Sequence, residues 1–496
     1  MWRRRAACAA LGGPVCCGLI PVSATDKVRR CLARPRNNQM SQNMKPAISP
    51  VMRKLSAYIA GAARRPLPAR VTERAKHHLL DTLCAMLSGA LLLPGRRAIA
   101  YVGAMGGTPE ACVVGTRIVT SAVNAALANG MLAHADETDD AYYLALVHPG
   151  CAVVPAALAM AELQRSSGMA LLRAVVVGYD ICARTSKALG IERVRSAGHS
   201  THSYGGTFGA AAAAGALAGI NADQARWLLS YTAQQASGLS CWARDTEHIE
   251  KAFDFGGMPA RNGVTAATMV ASRFTGVEYV FYGDRGFFHA HEKYAEPEKF
   301  VAGLGRDFDI LQTAIKRWPV GYPIQAPLDA LSNLMAAHKV TARDVDSVKI
   351  TLDEQGARTV SGRTMADINI QHLAALMLLD GDITFESSHS AKRVRDPKVL
   401  KLRERIAIVG SAALSKAKTT QAIAEIVTRD GRKLCHHTRE VRGTATNPMT
   451  REDIAAKSRA LLTPVMGKRR AESLIRAVLD IDRLRDVRML RRLLQL

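Results

Sequence analysis

Between positions 134 and 149 the chain reads His134-Ala-Asp136-Glu137-Thr-Asp139-Asp140-Ala-Tyr142-Tyr143-Leu-Ala-Leu-Val-His148-Pro149. Four carboxylates fall within five residues, with a histidine on each side. Like charges this close raise one another's pKa. The Ala- and Leu-rich run 119–135 ahead of them reads as a buried helix, and the C-terminal end of a helix disfavours negative charge. A segment bearing both costs calls for a compensating cation, a metal, or a chemical use for a carboxylic acid. A solvated acidic turn is the plain alternative. The flanks are apolar, however, and Pro149 fixes the backbone after His148, so a functional use of the stretch stands level with the solvated turn.

Three other stretches carry chemistry-bearing residues. In His199-Ser-Thr201-His202-Ser-Tyr204-Gly205-Gly206-Thr-Phe-Gly209, glycines ahead of an Ala-rich helix would present backbone N–H groups to an anion. No strand precedes them and the dinucleotide spacing fails, so close helix packing competes with carboxylate binding at Gly205 and Gly206. In the run from His248 to Gly263, Lys251 precedes aromatic residues and a glycine turn that would fold over it. A partly buried lysine holds a carboxylate or acts as an acid, whereas a lone lysine is otherwise solvated. In Lys316-Arg317-Trp318-Pro319, the cations suit a hinge facing a cleft, or a basic surface turn. Cys435-His436-His437 lies on a hairpin strand whose alternate residues face opposite sides, which makes it structural rather than a metal site.

Those residues have to be positioned by helices. The 496-residue chain is 48% hydrophobic but only 5% aromatic, long enough for a large core and two or three domains. The net charge is +24. Residues 1–50 hold nine Lys or Arg against Asp26 alone, so the remainder is basic too. Base-stacking aromatics are not interleaved with the basic residues, which argues against nucleic acid and for a small anionic substrate. The ten cysteines form no C-x-x-C pair, so they offer no ligand set for a structural zinc or iron–sulfur cluster; those beyond the leader sit in apolar, helix-like surroundings. No apolar run after the leader reaches spanning length. Residues 1–46 are a basic leader: a secretory signal, a mitochondrial presequence, or an artefact if translation starts at Met40 or Met44. The last suits a cytoplasmic protein; a real presequence would place it in the mitochondrial matrix.

Periodicity predicts helices over 49–63, 73–88 (capped by Thr72), 121–135, 152–164, 171–189, 207–219, 221–237 and 263–274, with 193–206 as a loop. Asn221 and Gln224 form a capping box. Near Leu311 the texture changes. Strands are predicted over 347–352, 405–409, 422–428 and 433–441, the last two joined at Asp430-Gly431, with helices over 326–338 and 370–379. The result is a mainly α fold with an α+β insert: a leader (1–46), a helical domain (47–310), an α+β lid domain (311–448) and C-terminal helices (449–496) that complete the helical domain.

Taken together, the runs 134–149, 199–219, 251–263, 316–319 and Gln371-His372 to Gly381 resemble the MmgE/PrpD family, over about residues 47–490. The resemblance implies a helical domain with an α+β lid, a homodimer, and no metal or organic cofactor. It implies a lyase acting on a di- or tricarboxylate, with dehydration of a 2-methylcitrate-like acid first, decarboxylation of a cis-aconitate-like acid second, and epimerisation third. By the same resemblance, His148 and His199 transfer protons, Glu137 or Asp140 orients His148, and Lys251, Lys316, His372 and the amides near Gly205–Gly209 contact substrate. The chain departs from the family pattern at Glu137, Ala141 and His372, where the family has Asp, Thr and Tyr. Outside the family, a magnesium-dependent helical prenyl-transfer enzyme would need a second acidic motif that the sequence lacks.

Overall fold

The computed structural model describes residues 47–291, 294–417 and 419–496; the leader lies outside them. Its first helix, Pro50–Gly61, is capped by Ser49, whose hydroxyl accepts the Met52 N–H at 3.1 Å. Helix α1, Ala69–Gly89, starts earlier than periodicity predicts. Thr72 does not cap it: its hydroxyl donates to the Pro68 carbonyl at 3.2 Å from within the first turn. Leu79, Leu80, Leu83 and Leu87 of α1 are fully buried, each contributing about 1.5–3 kcal/mol by leaving water.

The predicted helix over 119–135 divides. Val119–Thr120 pairs with Ala111–Cys112 as a short antiparallel ladder, and α2, Ala122–Ala133, follows from a Ser121 cap. After the acidic loop, α3 (Pro149–Leu163) opens with a proline at its first position, where the missing N–H is no loss. Helix α4 spans Gly168–Leu189 and α5 spans Thr201–Leu217. The stretch 193–206 is therefore not a loop: Ile191–Ser196 is a short helix, and α5 begins six residues before its predicted start. Small residues allow α4 and α5 to touch; a Cβ on Gly209 would lie 2.6 Å from both the Gly178 carbonyl oxygen and Cys182 Cβ. The Asn221–Gln224 capping box is present, and α6 runs Met258–Ala271.

A second hydrophobic core, drawn from residues 318–441, forms the insert. It contains α7 (Tyr322–His338), β1 (Val345–Asp353), α8 (Ile370–Asp380), β2 (Ile406–Ser411), β3 (Ala422–Thr428) and β4 (Lys433–Thr438). The sheet order is β2-β1-β3-β4, with β1 parallel to β2 and antiparallel to β3. Val348, Ile350 and Leu352 alternate inward as the period-two pattern requires. Gly431 takes φ 87° in the β3–β4 turn, a left-handed conformation that glycine adopts without strain.

Helices α9 (Arg451–Met466) and α10 (Lys468–Leu479) then rejoin the first core, which gathers residues from 51–315 and 449–494. The mainly α architecture with an α+β insert agrees with the sequence reading. The cysteine expectation holds only in part: Cys84, Cys112, Cys151 and Cys182 are buried, Cys241 is half-buried and Cys435 is exposed. Among the described residues no single helix is long and apolar enough to cross a membrane.

Candidate active site

The acidic loop is not a solvated turn. Asp136, Glu137, Asp139 and Asp140 are all at most 4% exposed, and each has its own set of partners, with Lys316 shared by two of them. Asp136 accepts the Thr138 hydroxyl at 2.6 Å and faces His389 Nε2 of the insert at 3.2 Å. Glu137 is paired with the Lys251 ammonium, and Lys316 Nζ lies 3.6 Å from its other oxygen while donating to its backbone carbonyl at 2.7 Å. Asp139 contacts His134 Nδ1 at 3.0 Å, His148 Nδ1 at 3.3 Å and Lys316 Nζ at 3.6 Å. Asp140 accepts from His78 Nδ1 at 2.6 Å, the Tyr179 hydroxyl at 2.5 Å and the Gly150 N–H at 2.9 Å. Lys457 of α9 donates to the Thr138 carbonyl at 3.2 Å.

The charges follow from these partners. Burial pushes Glu137 and Asp139 up, but Lys251 and Lys316 for the first, and His134, His148 and Lys316 for the second, hold both well below the usual carboxylate range. Burial opposes the Lys316 charge, yet Asp139 and Glu137 raise its pKa. An ionised Asp139 can only accept, so His134 and His148 must each present an Nδ1–H to it. That fixes the His148 tautomer and leaves its Nε2 lone pair for the cleft. Burial lowers the His148 pKa, with Asp139 offsetting part of the effect, so the imidazole is a free base near neutral pH.

His148 lines a cleft of about 360 Å³ between the helical core and the insert, with Glu137, His202, Lys251, Trp242 and Phe255. The His202 ring stacks on Phe255 at 3.8 Å and lies 5.2 Å from the His148 ring, centroid to centroid. Burial holds His202 well below the ordinary histidine range. Phe255 also stacks against His134 at 4.4 Å, and the Lys251 ammonium lies over Trp242 and Phe255 at 5.4 and 5.2 Å. Phe253–Gly257 is a π-helical turn leading into α6, a form frequent at functional sites. Its glycines do not fold over Lys251 as the sequence suggests. They let the chain press on α2, where a Cβ on Gly256 would sit 2.1 Å from the Gly130 carbonyl oxygen.

The structure thus brings together His148, Glu137 and Lys251, with Lys316 behind them, and separates the other candidates. Asp140 does not orient His148; Asp139 does, because Asp140 points at α1 and α4. Glu137 does not orient it either, being taken by the two lysines. Lys316 is fully buried and faces acids rather than the cleft. His199 lies beside Tyr204 and His291, outside the cleft, and His202 stands in its place. Gly205 and Gly206 fall inside α5, and their close neighbours are Cys182, Val147, Ala152 and Pro259, so they serve helix packing. His372 is buried in the insert and does not line the cleft; burial and the charges of Arg403 and Arg393 push it down to about 4. Beside His202, sequence reasoning passed over His248, which is buried at φ 63° with its ring 5.2 Å from His134. It also passed over His389. The paired histidines of 199–202 were the signal for His202; His248 heads the run singled out for Lys251, and His389 lies in an unremarkable run.

His134, Glu137 and His248 place ligand atoms within 4.8 Å of one another, a spacing suited to a divalent ion. Glu137, however, already receives two ammonium groups, so an added cation would stand against Lys251 and Lys316.

The contact of Asp136 with His389 joins the acidic loop to the insert and gives a pH test. Burial lowers the His389 pKa, but Asp136 and Asp367 outweigh it and raise the group to about 9. A raised histidine stabilises the fold fully below its unfolded value of about 6.5 and ceases to do so as pH rises through about 9. Relative to a His389→Gln variant, the protein is expected to lose thermal stability between pH 6.5 and 9; parallel melting curves across that range would rule the contact out as a contributor.

The profile of the MmgE/PrpD N-terminal domain matches residues 53–299, and that of the MmgE/PrpD C-terminal domain matches residues 318–483. The chain is 24% identical over 484 residues to the cis-aconitate decarboxylase of Aspergillus terreus, covering 90% of this chain and 96% of the relative. It is 27% identical over 447 residues to the cis-aconitate decarboxylase of Homo sapiens, covering 86% and 91%. Two consecutive domain profiles, an acidic loop running into a histidine at a helix start, and an α+β insert over the cleft meet in one conclusion: the chain belongs to the MmgE/PrpD family.

Proposed function

We propose that this protein is a lyase that moves a proton beside a carboxylate of a small di- or tricarboxylate. One observation carries the reading: the His148 ring, 11% exposed on the cleft wall, has its Nδ1 3.3 Å from Asp139, and with burial lowering the pKa of the ring and the neighbouring cations holding Asp139 low, the free lone pair falls on Nε2. A neutral imidazole suits abstraction of a proton, which favours dehydration of a β-hydroxy acid. Nε2 of His148 takes the hydrogen from the carbon next to the carboxylate. The C–H pair becomes the double bond, the C–O bond breaks, and the leaving hydroxyl takes a proton from the Lys251 ammonium, giving water. His202 and Phe255 wall the reacting carbon from solvent.

Decarboxylation is the second reading, supported by the names of the relatives. There a C–C bond breaks to release carbon dioxide, and the electron pair left on carbon takes a proton from Lys251 or from protonated His148. The protein incubated with citrate, 2-methylcitrate and cis-aconitate, followed by proton NMR, separates the two. A new vinylic signal from a hydroxy acid without gas release supports dehydration. Carbon dioxide from cis-aconitate supports decarboxylation and removes the first reading. No change in any of them removes these three acids as substrates and points to a different polycarboxylate.

A further inference from the structure

The depth of the cleft has no spare positive charge. Lys251 and Lys316 are matched by Glu137 and Asp139, and burial keeps His148, His202 and His248 below the ordinary histidine range. A substrate with two or three carboxylates would bring uncompensated anions into a low-dielectric space unless other cations met them. Two further cations line the same cleft: Arg195, from the short helix Ile191–Ser196, and Arg363, from the turn after the insert's helix Glu354–Val360. Their existing partners are weak. Arg195 meets Glu192 at 3.4 Å in a pair whose glutamate side chain is 84% exposed. Arg363 reaches from the insert to the Ala243 carbonyl at 3.5 Å. The other acid on the lining, Asp353, is committed as the cap of Glu354–Val360, accepting the Gly356 N–H at 2.7 Å.

We infer that Arg195 and Arg363 are the specificity residues of this cleft, clamping the distal carboxylates of a polycarboxylate from opposite walls while the inner lysines keep Glu137 and Asp139 ionised. This rests on the lyase reading and names where its substrate is held. A guanidinium grips a carboxylate through two parallel hydrogen bonds, which a lysine cannot reproduce. A monocarboxylate has no second carboxylate for the arginines to hold.

Isothermal titration of citrate and of crotonate into the full chain and into Arg195→Gln, Arg363→Gln and Arg363→Lys variants tests it. Lys392→Gln, exposed and away from the cleft, controls for net charge. The expected result is a loss of citrate affinity of about tenfold or more in each glutamine variant, partial recovery in Arg363→Lys, and little change for crotonate. Unchanged citrate affinity, equal losses for both ligands, or an unmodified protein that binds neither would overturn the clamp. Turnover measured in parallel separates the two ideas. Arginine-dependent binding without conversion of any polycarboxylate keeps the clamp and removes the lyase reading; conversion with arginine-independent binding does the reverse.

Discussion

Replacing His148 with Asn is expected to lower kcat/KM on whichever polycarboxylate proves to be the substrate by about 10²–10⁴, the usual worth of a positioned acid–base group. The fold should tolerate the change. Asp139 keeps His134 at 3.0 Å and Lys316 at 3.6 Å, so no buried carboxylate is stranded. The acid limb of activity is the second readout. With His148 already a free base, turnover in the native enzyme should rise as pH climbs through its lowered pKa and then level off, and that limb should vanish in the variant. A folded His148→Asn protein with native turnover would place proton transfer elsewhere, His202 being the nearest ring.

Lys316 carries the largest expected effect on stability. Its ammonium is fully buried against Glu137, Asp139 and the Glu137 carbonyl. Lys316→Met preserves much of the volume but leaves two ionised carboxylates short of a cation. Breaking such a pair from one side costs about 3–5 kcal/mol, to be read from the midpoint of denaturant unfolding at pH 7.5. Sign and pH dependence go together. With Lys316 gone, both acids titrate higher in the folded state, so the deficit should shrink as pH falls toward the carboxylate range. Lys251→Met should cost less, because its side chain is 14% exposed and water can reach Glu137 in its place. A Lys316→Met deficit below about 1 kcal/mol, within the range of an exposed pair, would contradict the charge assignment.

Much of this was readable before any coordinates. Helix periodicity located most of the helical core, and the alternation in 347–352 found the central strand, because both patterns are set by which face is buried. The acidic loop was visible as a cluster of costs. Its internal wiring was not. Asp139 and Asp140 are neighbours in sequence yet face different elements, and the loop backbone decides which one meets His148. The error at His199 has a similar origin. Taking 193–206 as a loop left the helix phase undefined, and only a helix starting at Thr201 turns His202 toward Phe255 and His148. His389 was illegible because its partner Asp136 lies 253 positions away in the chain, and pairing at that range leaves no local pattern.

The return of α9 and α10 to the first core has a consequence for synthesis on the ribosome. Lys457, which pairs with Asp81 at 2.6 Å and donates to the Thr138 carbonyl of the acidic loop, emerges some three hundred residues after that loop. Until then the nascent helical half holds Asp81 short of its cation and an apolar face that α9 and α10 cover, while the insert already has its own complete core. The insert can therefore close first, and the half containing the acidic loop can finish folding only once α9 and α10 have left the ribosome.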